Sequence, residues 1–250
     1  MKPKELTADA VWREYEKMLA YNDSIQLDDT VRVNENFFIG KQWEGVESNG
    51  LPTPVFNFLK RVTLFTVASI TSDQLKLKCS PLPSGAGDRG LRRACDVINA
   101  EFEALFERNK LTWLLKEYMR NAAVDGDGAT YTWWNAEADA GDGRRGALVT
   151  EIVQNTRIGF GNPADRQVQS QPYILIKRRE MTESLRERAR RLGCADWESI
   201  KEDTDEQLMD AYKDTGEKTT VILRLWKDER TGSVWGCECA RGVMVRKPWD

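Results

Sequence analysis

Between Leu6 and about Ile25 the apolar residues Val11, Tyr15, Met18, Leu19 and Ile25 return at three- and four-residue steps with charges on the other face, which predicts an amphipathic helix. The next block, NENFFIGKQWEG, gathers Phe37, Phe38 and Trp43 around Gly40. Its glycines and the following SNGLPTP break the helix and predict a turn-rich segment pinned to the core by its aromatic side chains. After Pro54, VFNFLKRVTLFTVASITSDQ places Phe56, Leu59, Thr63, Val67 and Ile70 on one stripe. Enough further apolar residues surround that stripe for burial on more than one side, so a central helix is expected. QLKLKCS alternates Leu75, Leu77 and Cys79 with Gln74, Lys76 and Lys78, the period of a half-buried strand, and PLPSGAGDRG reads as a loop.

Two more helices follow, one marked by Leu91, Cys95, Ile98, Phe102 and Leu105, the other by Leu111, Leu114, Leu115, Tyr118 and Ala122. They join near Asn109 as a helical hairpin. ATYTWWN and ALVTEIVQ read as strands around the glycine-containing loop AEADAGDGRRG. PYILIKRREM is a further strand, and Thr182 is placed to cap the charged helix ESLRERARRLG, which stops at Gly193. Asp196 to Tyr212 reads as one or two short polar helices. From Lys218 the chain alternates again, and the turn residues DERTG predict an antiparallel hairpin. The expected class is α+β: several amphipathic helices packed with antiparallel strands and hairpins. There is no internal repeat, and 250 residues suit one large domain or two small ones.

Composition narrows the function classes. A net charge of -3 gives no overall attraction to a phosphate backbone, so any nucleic-acid contact would need a local patch. No apolar run approaches the length of a bilayer span, and MKPKELTADA is not followed by the apolar region of a signal peptide. No membrane partner is expected, and synthesis in the cytosol is. The five cysteines are odd in number and scattered, which predicts reduced thiols rather than a disulfide framework. The absence of histidine removes the usual general base and the commonest zinc ligand, a handicap for any enzyme reading.

Four clusters could carry chemistry. In RNAAVDGDGATYTWWN, a calcium loop counted from Asp125 would need glycine at its sixth position and a carboxylate at its twelfth, where Thr130 and Ala136 stand. A phosphate cradle needs a glycine loop leading into a helix, whereas here the order is helix, glycines, strand. The favoured reading is a corner in which Gly126 ends the helix and the aspartates accept turn hydrogen bonds. A nuclease-type carboxylate site built from Asp125, Asp127 and Glu151 needs no histidine. Loss of magnesium-dependent DNA cleavage on changing both aspartates to asparagine would mark it. Cys237 and Cys239 would share one strand face as small apolar residues, since two thiols do not make a zinc site. Arg186, Arg188, Arg190 and Arg191 could meet phosphates, but Glu183 and Glu187 offer helical ion-pair partners, so a solvated or subunit-facing surface is favoured. Phe37, Phe38 and Trp43 could stack on bases, but without interleaved basic residues burial is favoured. No residue is assigned a catalytic, cofactor-binding or metal-binding role, and no cofactor is expected.

Taken together, VNENFFIGKQWEG with LPTPVFNFLKRVTLFTVASITSD, then RNAAVDGDGATYTWWN, then IGFGNPADRQVQSQPYILIKRREM resemble the portal proteins of tailed bacteriophages and prophages. The order and spacing of these blocks across most of the chain carry the resemblance. It implies a non-enzymatic, usually dodecameric ring at one capsid vertex, synthesised in the host cytoplasm and located in the virion. Such a ring is the conduit through which double-stranded DNA is packaged and ejected. Its implied partners are other copies of itself, the terminase large subunit, scaffold and major capsid proteins, and head-completion or tail connector proteins. On this resemblance residues 1–250 correspond to the N-terminal wing, with stem, clip and crown expected beyond Asp250. The rival readings from the residues are a metal-dependent nuclease and a nucleic-acid-binding scaffold protein, the latter marked by steep salt dependence of binding.

Overall fold

The computed structural model describes residues 6–72, 77–85, 87–139, 143, 145–165, 167–204 and 217–250. The fold is α+β. Among the described residues, six α-helices accompany a two-stranded and a five-stranded antiparallel sheet, and none of the helices is long and apolar enough to cross a membrane. The chain divides into two compact units, Met1–Arg32 with Asn155–Asp250, and Val33–Gln154.

The first unit is built on a meander of β3 (Ile158–Phe160), β4 (Ile174–Met181), β5 (Lys218–Lys227), β6 (Val234–Ala240) and β7 (Val243–Trp249), each strand beside the next. Strand residues alternate between faces, and here both faces are covered. On one, α1 (Ala8–Ser24) lays Val11, Tyr15 and Met18 against Leu175, Ile222, Cys237 and Cys239. The amphipathic spacing of α1 is thus realised, and Thr7 caps its start by accepting from the Ala10 amide at 3.3 Å. On the other face, α6 (Thr182–Arg191) and the turn after it bring Leu185, Ala189 and Ile200 onto Val221, Ala240, Val243 and Val245. Both layers need close approach. A Cβ on Gly159 of β3 would lie 2.4 Å from the Met18 sulfur, so only glycine lets α1 cross that strand at this distance.

Three partly buried ion pairs, made by two arginines, tie the helices to the sheet. Glu14 of α1 accepts from Arg224 of β5 through Nε (2.6 Å) and Nη2 (3.2 Å), and the guanidinium lies between the rings of Tyr173 and Trp226 at 4.7 and 4.8 Å. Arg188 of α6 donates to Glu238 (2.6 Å) and to both oxygens of Glu180 (2.8 and 2.9 Å). Burial of Glu180 raises its carboxyl pKa despite the opposing pull of Arg188.

In the second unit, α3 (Phe58–Ile70), α4 (Arg89–Arg108) and α5 (Leu111–Asp125) accompany the hairpin β1 (Ala129–Asp139) and β2 (Arg145–Val153). α2 (Leu27–Ile39) carries the chain into it. Lys110, at φ 50°, turns α4 into α5, so the expected helical hairpin forms. Asn109 at this bend also reaches β2: its Nδ2 donates to the Leu148 carbonyl at 2.9 Å and its Oδ1 accepts from the Thr150 amide at 3.2 Å.

Several expectations are corrected. The first half of NENFFIGKQWEG, Asn34–Ile39 with Phe37 and Phe38, is helical rather than turn-rich and belongs to α2 (Leu27–Ile39). The turn-rich segment begins only at Gly40, after a break between α1 and α2 where Gln26 takes φ 52°. The strand anticipated at QLKLKCS is absent from residues 77–80, and residues 74–76 lie outside the described set. In its place the Asn99 side chain of α4 does what a neighbouring strand would do for Cys79. It accepts from the Cys79 amide at 2.6 Å and donates to the Cys79 carbonyl at 3.1 Å. Thr182 does not cap α6. It is the first helical residue, and its hydroxyl pairs with that of Thr219 at 2.9 Å in the core. Of the polar helices expected up to Tyr212, a 3₁₀ turn at Trp197–Ser199 is present, and residues 205–216 lie outside the described set.

The largest departure concerns α3. It is not central: Val67 is buried at 7% exposure, but Phe58, Val62 and Phe65 on the opposite face are 65%, 63% and 75% exposed.

Candidate functional site

The DGDG corner is a helix end. Asp125 closes α5, Gly126 follows at φ +88° with its amide donating to the Ala122 carbonyl at 3.1 Å, and β1 starts at Ala129. A left-handed residue at this place is what an α-helix uses to stop, and glycine adopts it without the Cβ penalty. The corner sits beside an electrostatic knot. Arg120 of α5 donates to Glu35 of α2 and lies over the Phe38 ring at 4.7 Å, while Lys60 of α3 approaches the same ring at 5.7 Å. Asn57, which caps α3 by accepting from the Lys60 amide, also donates to the Phe38 carbonyl at 2.8 Å. Phe38 is thereby the hub joining α2, α3 and α5.

Asp125 feels this knot. Burial, and then the Glu35 charge, push its carboxyl up to about 6, with Arg120 acting in the opposite direction. Its folded-state value thus lies above the ordinary 3.8, so the folded protein holds the extra proton between about pH 4 and pH 6. The stability this gives is complete below about pH 4 and is lost as pH rises through about 6. Asp125→Asn is therefore expected to raise the melting temperature near neutral pH and to change it little near pH 4. Thermal unfolding followed by circular dichroism at both pH values checks this, and equal shifts would contradict it.

Among the described residues no three histidine, cysteine, aspartate or glutamate side chains come together as a group able to hold a metal ion. Asp127 is exposed in the turn, and Glu151 lies on β2 opposite Tyr131. The carboxylate trio weighed from the sequence thus finds no assembled site.

No protein-family model matches the chain, and no curated protein matches it.

The basic helix is engaged within its own unit. Arg186 donates to the Ile200 carbonyl through Nε (3.0 Å) and Nη2 (2.7 Å) and to Glu183 at 2.6 Å. Arg188 lies between Glu180 and Glu238, and Arg190 faces the Trp197 ring at 5.8 Å. The i,i+3 pairing of Glu183 with Arg186 matches expectation. The expectation of a solvated or subunit-facing surface fails for Arg188, which holds α6 on the sheet. Asp203, after the 3₁₀ turn, is likewise occupied within this unit: it accepts from Arg179 and from the Thr220 amide at 2.9 Å.

Cys237 and Cys239 pack in the core beneath α1, as expected. Burial pushes the Cys237 thiol up to about 12 and raises that of Cys239 as well, so both are poor nucleophiles. The expected burial of the aromatic trio fails for two of its members. Phe37 and Trp43 are exposed, and the Trp43 indole N–H donates to the Pro54 carbonyl at 3.1 Å, closing the intervening loop.

Two features had no sequence signal strong enough to find them. One is the uncovered face of α3. The other is the meeting of Cys79 and Cys95, whose Sγ atoms lie 3.5 Å apart.

Proposed function

We propose that this chain is a structural, non-catalytic subunit of the portal ring of a tailed bacteriophage or prophage, part of the conduit for double-stranded DNA at the capsid vertex. The observation that carries this reading beyond the sequence resemblance is the outer face of α3. A contiguous apolar helix face is normally covered. Here Phe58, Val62 and Phe65 form a continuous exposed face opposite the buried Val67, with the exposed Leu59 at its edge. Two phenylalanines, a leucine and a valine exposed to this degree present on the order of 400 Å² of apolar surface. That is about half of what one partner contributes to a standard interface. Patches of this kind mark interaction sites, and a ring closes through such heterologous contacts between identical subunits.

The disposition of charge also supports the reading. A passage for moving DNA works against itself if it grips phosphates. The chain's net charge is -3, and Arg186, Arg188 and Arg190 of its most basic helix are directed at partners within their own unit.

Electron microscopy and native mass spectrometry of the full-length gene product test the proposal. Closed rings with an open centre and a mass that is a whole multiple of one subunit are expected. Compact single subunits at micromolar concentration, under conditions that permit assembly, would overturn it.

A further inference from the structure

We propose that Cys79 and Cys95 form a reversible oxidation site, a dithiol that small disulfides such as oxidised glutathione convert into an intramolecular disulfide. The two sulfurs are 3.5 Å apart and both residues are half-buried, so they are in contact with each other yet reachable by a small reagent. Their proximity is held from the main chain. Asn99, one helical turn beyond Cys95 on α4, fixes the Cys79 backbone through its amide and its carbonyl at once. Thiols already in contact at this distance are placed to close to the covalent separation of about 2 Å. The other thiols are set apart: Cys237 and Cys239 are buried in the first unit, and Cys194 packs beside Trp197 against the α6 face of the sheet.

The reaction is an exchange. The Cys79 thiolate attacks one sulfur of the small disulfide, forming a mixed disulfide and releasing one glutathione thiolate, which takes up a proton. Cys95 holds its proton more firmly than an ordinary thiol because of its hydrogen bond with Cys79 and then its burial, so it acts second. On losing that proton, its thiolate attacks the Cys79 sulfur and displaces the second glutathione. Two protein thiols are oxidised by two electrons and one glutathione disulfide is reduced to two thiols. The product is a covalent ring that joins the loop containing Pro81 and Pro83 to the first half of α4, and excess reduced glutathione reopens it.

The test treats the folded protein with oxidised glutathione, quenches with acid, alkylates under denaturing conditions and maps peptides by mass without reduction. A linked pair of peptides containing Cys79 and Cys95, two hydrogens lighter than their sum, is expected, with Cys194, Cys237 and Cys239 alkylated. In Cys95→Ser the glutathione adduct on Cys79 has no resolving partner, so it is expected to persist at least about ten times longer than in the wild type. Five alkylated thiols, a lasting adduct on wild-type Cys79, or linkage of either residue to Cys194 would overturn the proposal. So would equal linkage in the urea-denatured chain, because the folded geometry would then contribute nothing.

Discussion

Arg224→Ala is expected to destabilise the first unit by about 3–5 kcal/mol, because removing one partner of a buried ion pair leaves the other charge uncompensated. Arg224 is buried in β5, and among the described residues its guanidinium donates to both oxygens of Glu14. Once the guanidinium is gone, the Glu14 carboxylate faces the Tyr173 ring, whose hydroxyl is already raised in pKa by burial first and by Glu14 second. The packing between Tyr173 and Trp226 is lost as well, so the effect is not electrostatic alone. A fall in melting temperature of about 10 °C or more is expected. Arg224→Lys keeps the charge but neither the two-pronged contact nor the flat stacking, and should fall between the two. Pairing Arg224→Ala with Glu14→Ala should cost less than the sum of the single changes. Urea denaturation of the wild type and the four variants measures this, and a single-substitution cost under about 1 kcal/mol would show that the pair is not buried in solution.

The Glu14–Arg224 contact joins residues 210 positions apart, and neither has a neighbour in sequence that announces it. What the sequence did reveal was local. The strands at 174–181 and 218–227, the turn DERTG, and the helix ends at Gly126 and Gly193 are encoded within a few residues, and each forms as read. Burial of one cysteine pair was legible for the same reason, since Cys237 and Cys239 are two apart on a strand whose period fixes their common face. Failures occurred where a tertiary partner overrode the pattern. Leu77 and Cys79 alternate like a strand, but a single asparagine side chain on α4 supplies the hydrogen bonds of Cys79, and among the described residues no strand pairs with them. Thr182 has the right residue type and position for a cap, yet Thr219 from β5 takes its hydroxyl into the core. The basic helix looked surface-bound because Glu183 and Glu187 are on it; the carboxylates that bind Arg188 come from β4 and β6.

If the chain assembles as proposed through α3, Phe65→Asp and Val62→Asp are expected to abolish that association while leaving the second unit folded. The two positions lie on the face of α3 opposite Val67 and are largely in water. Each substitution should therefore shift unfolding free energy by no more than about 0.5 kcal/mol, the usual range for surface positions. In an assembly the same aspartate would be carried into an apolar contact, where an uncompensated carboxylate costs several kcal/mol. In a closed ring that penalty recurs at every subunit boundary, so even a modest cost per contact disperses the ring. Val67→Asp provides the contrast. Its side chain is on the covered face, so it should unfold the helical part of the unit rather than merely separate subunits. Sedimentation velocity and far-ultraviolet circular dichroism of the three variants separate the cases. Slowly sedimenting, folded Phe65→Asp beside unfolded Val67→Asp supports a subunit contact on α3. Wild-type sedimentation of both Phe65→Asp and Val62→Asp would remove the α3 face as support for the proposed ring, and loss of helical signal in either would place that face inside the subunit's own core.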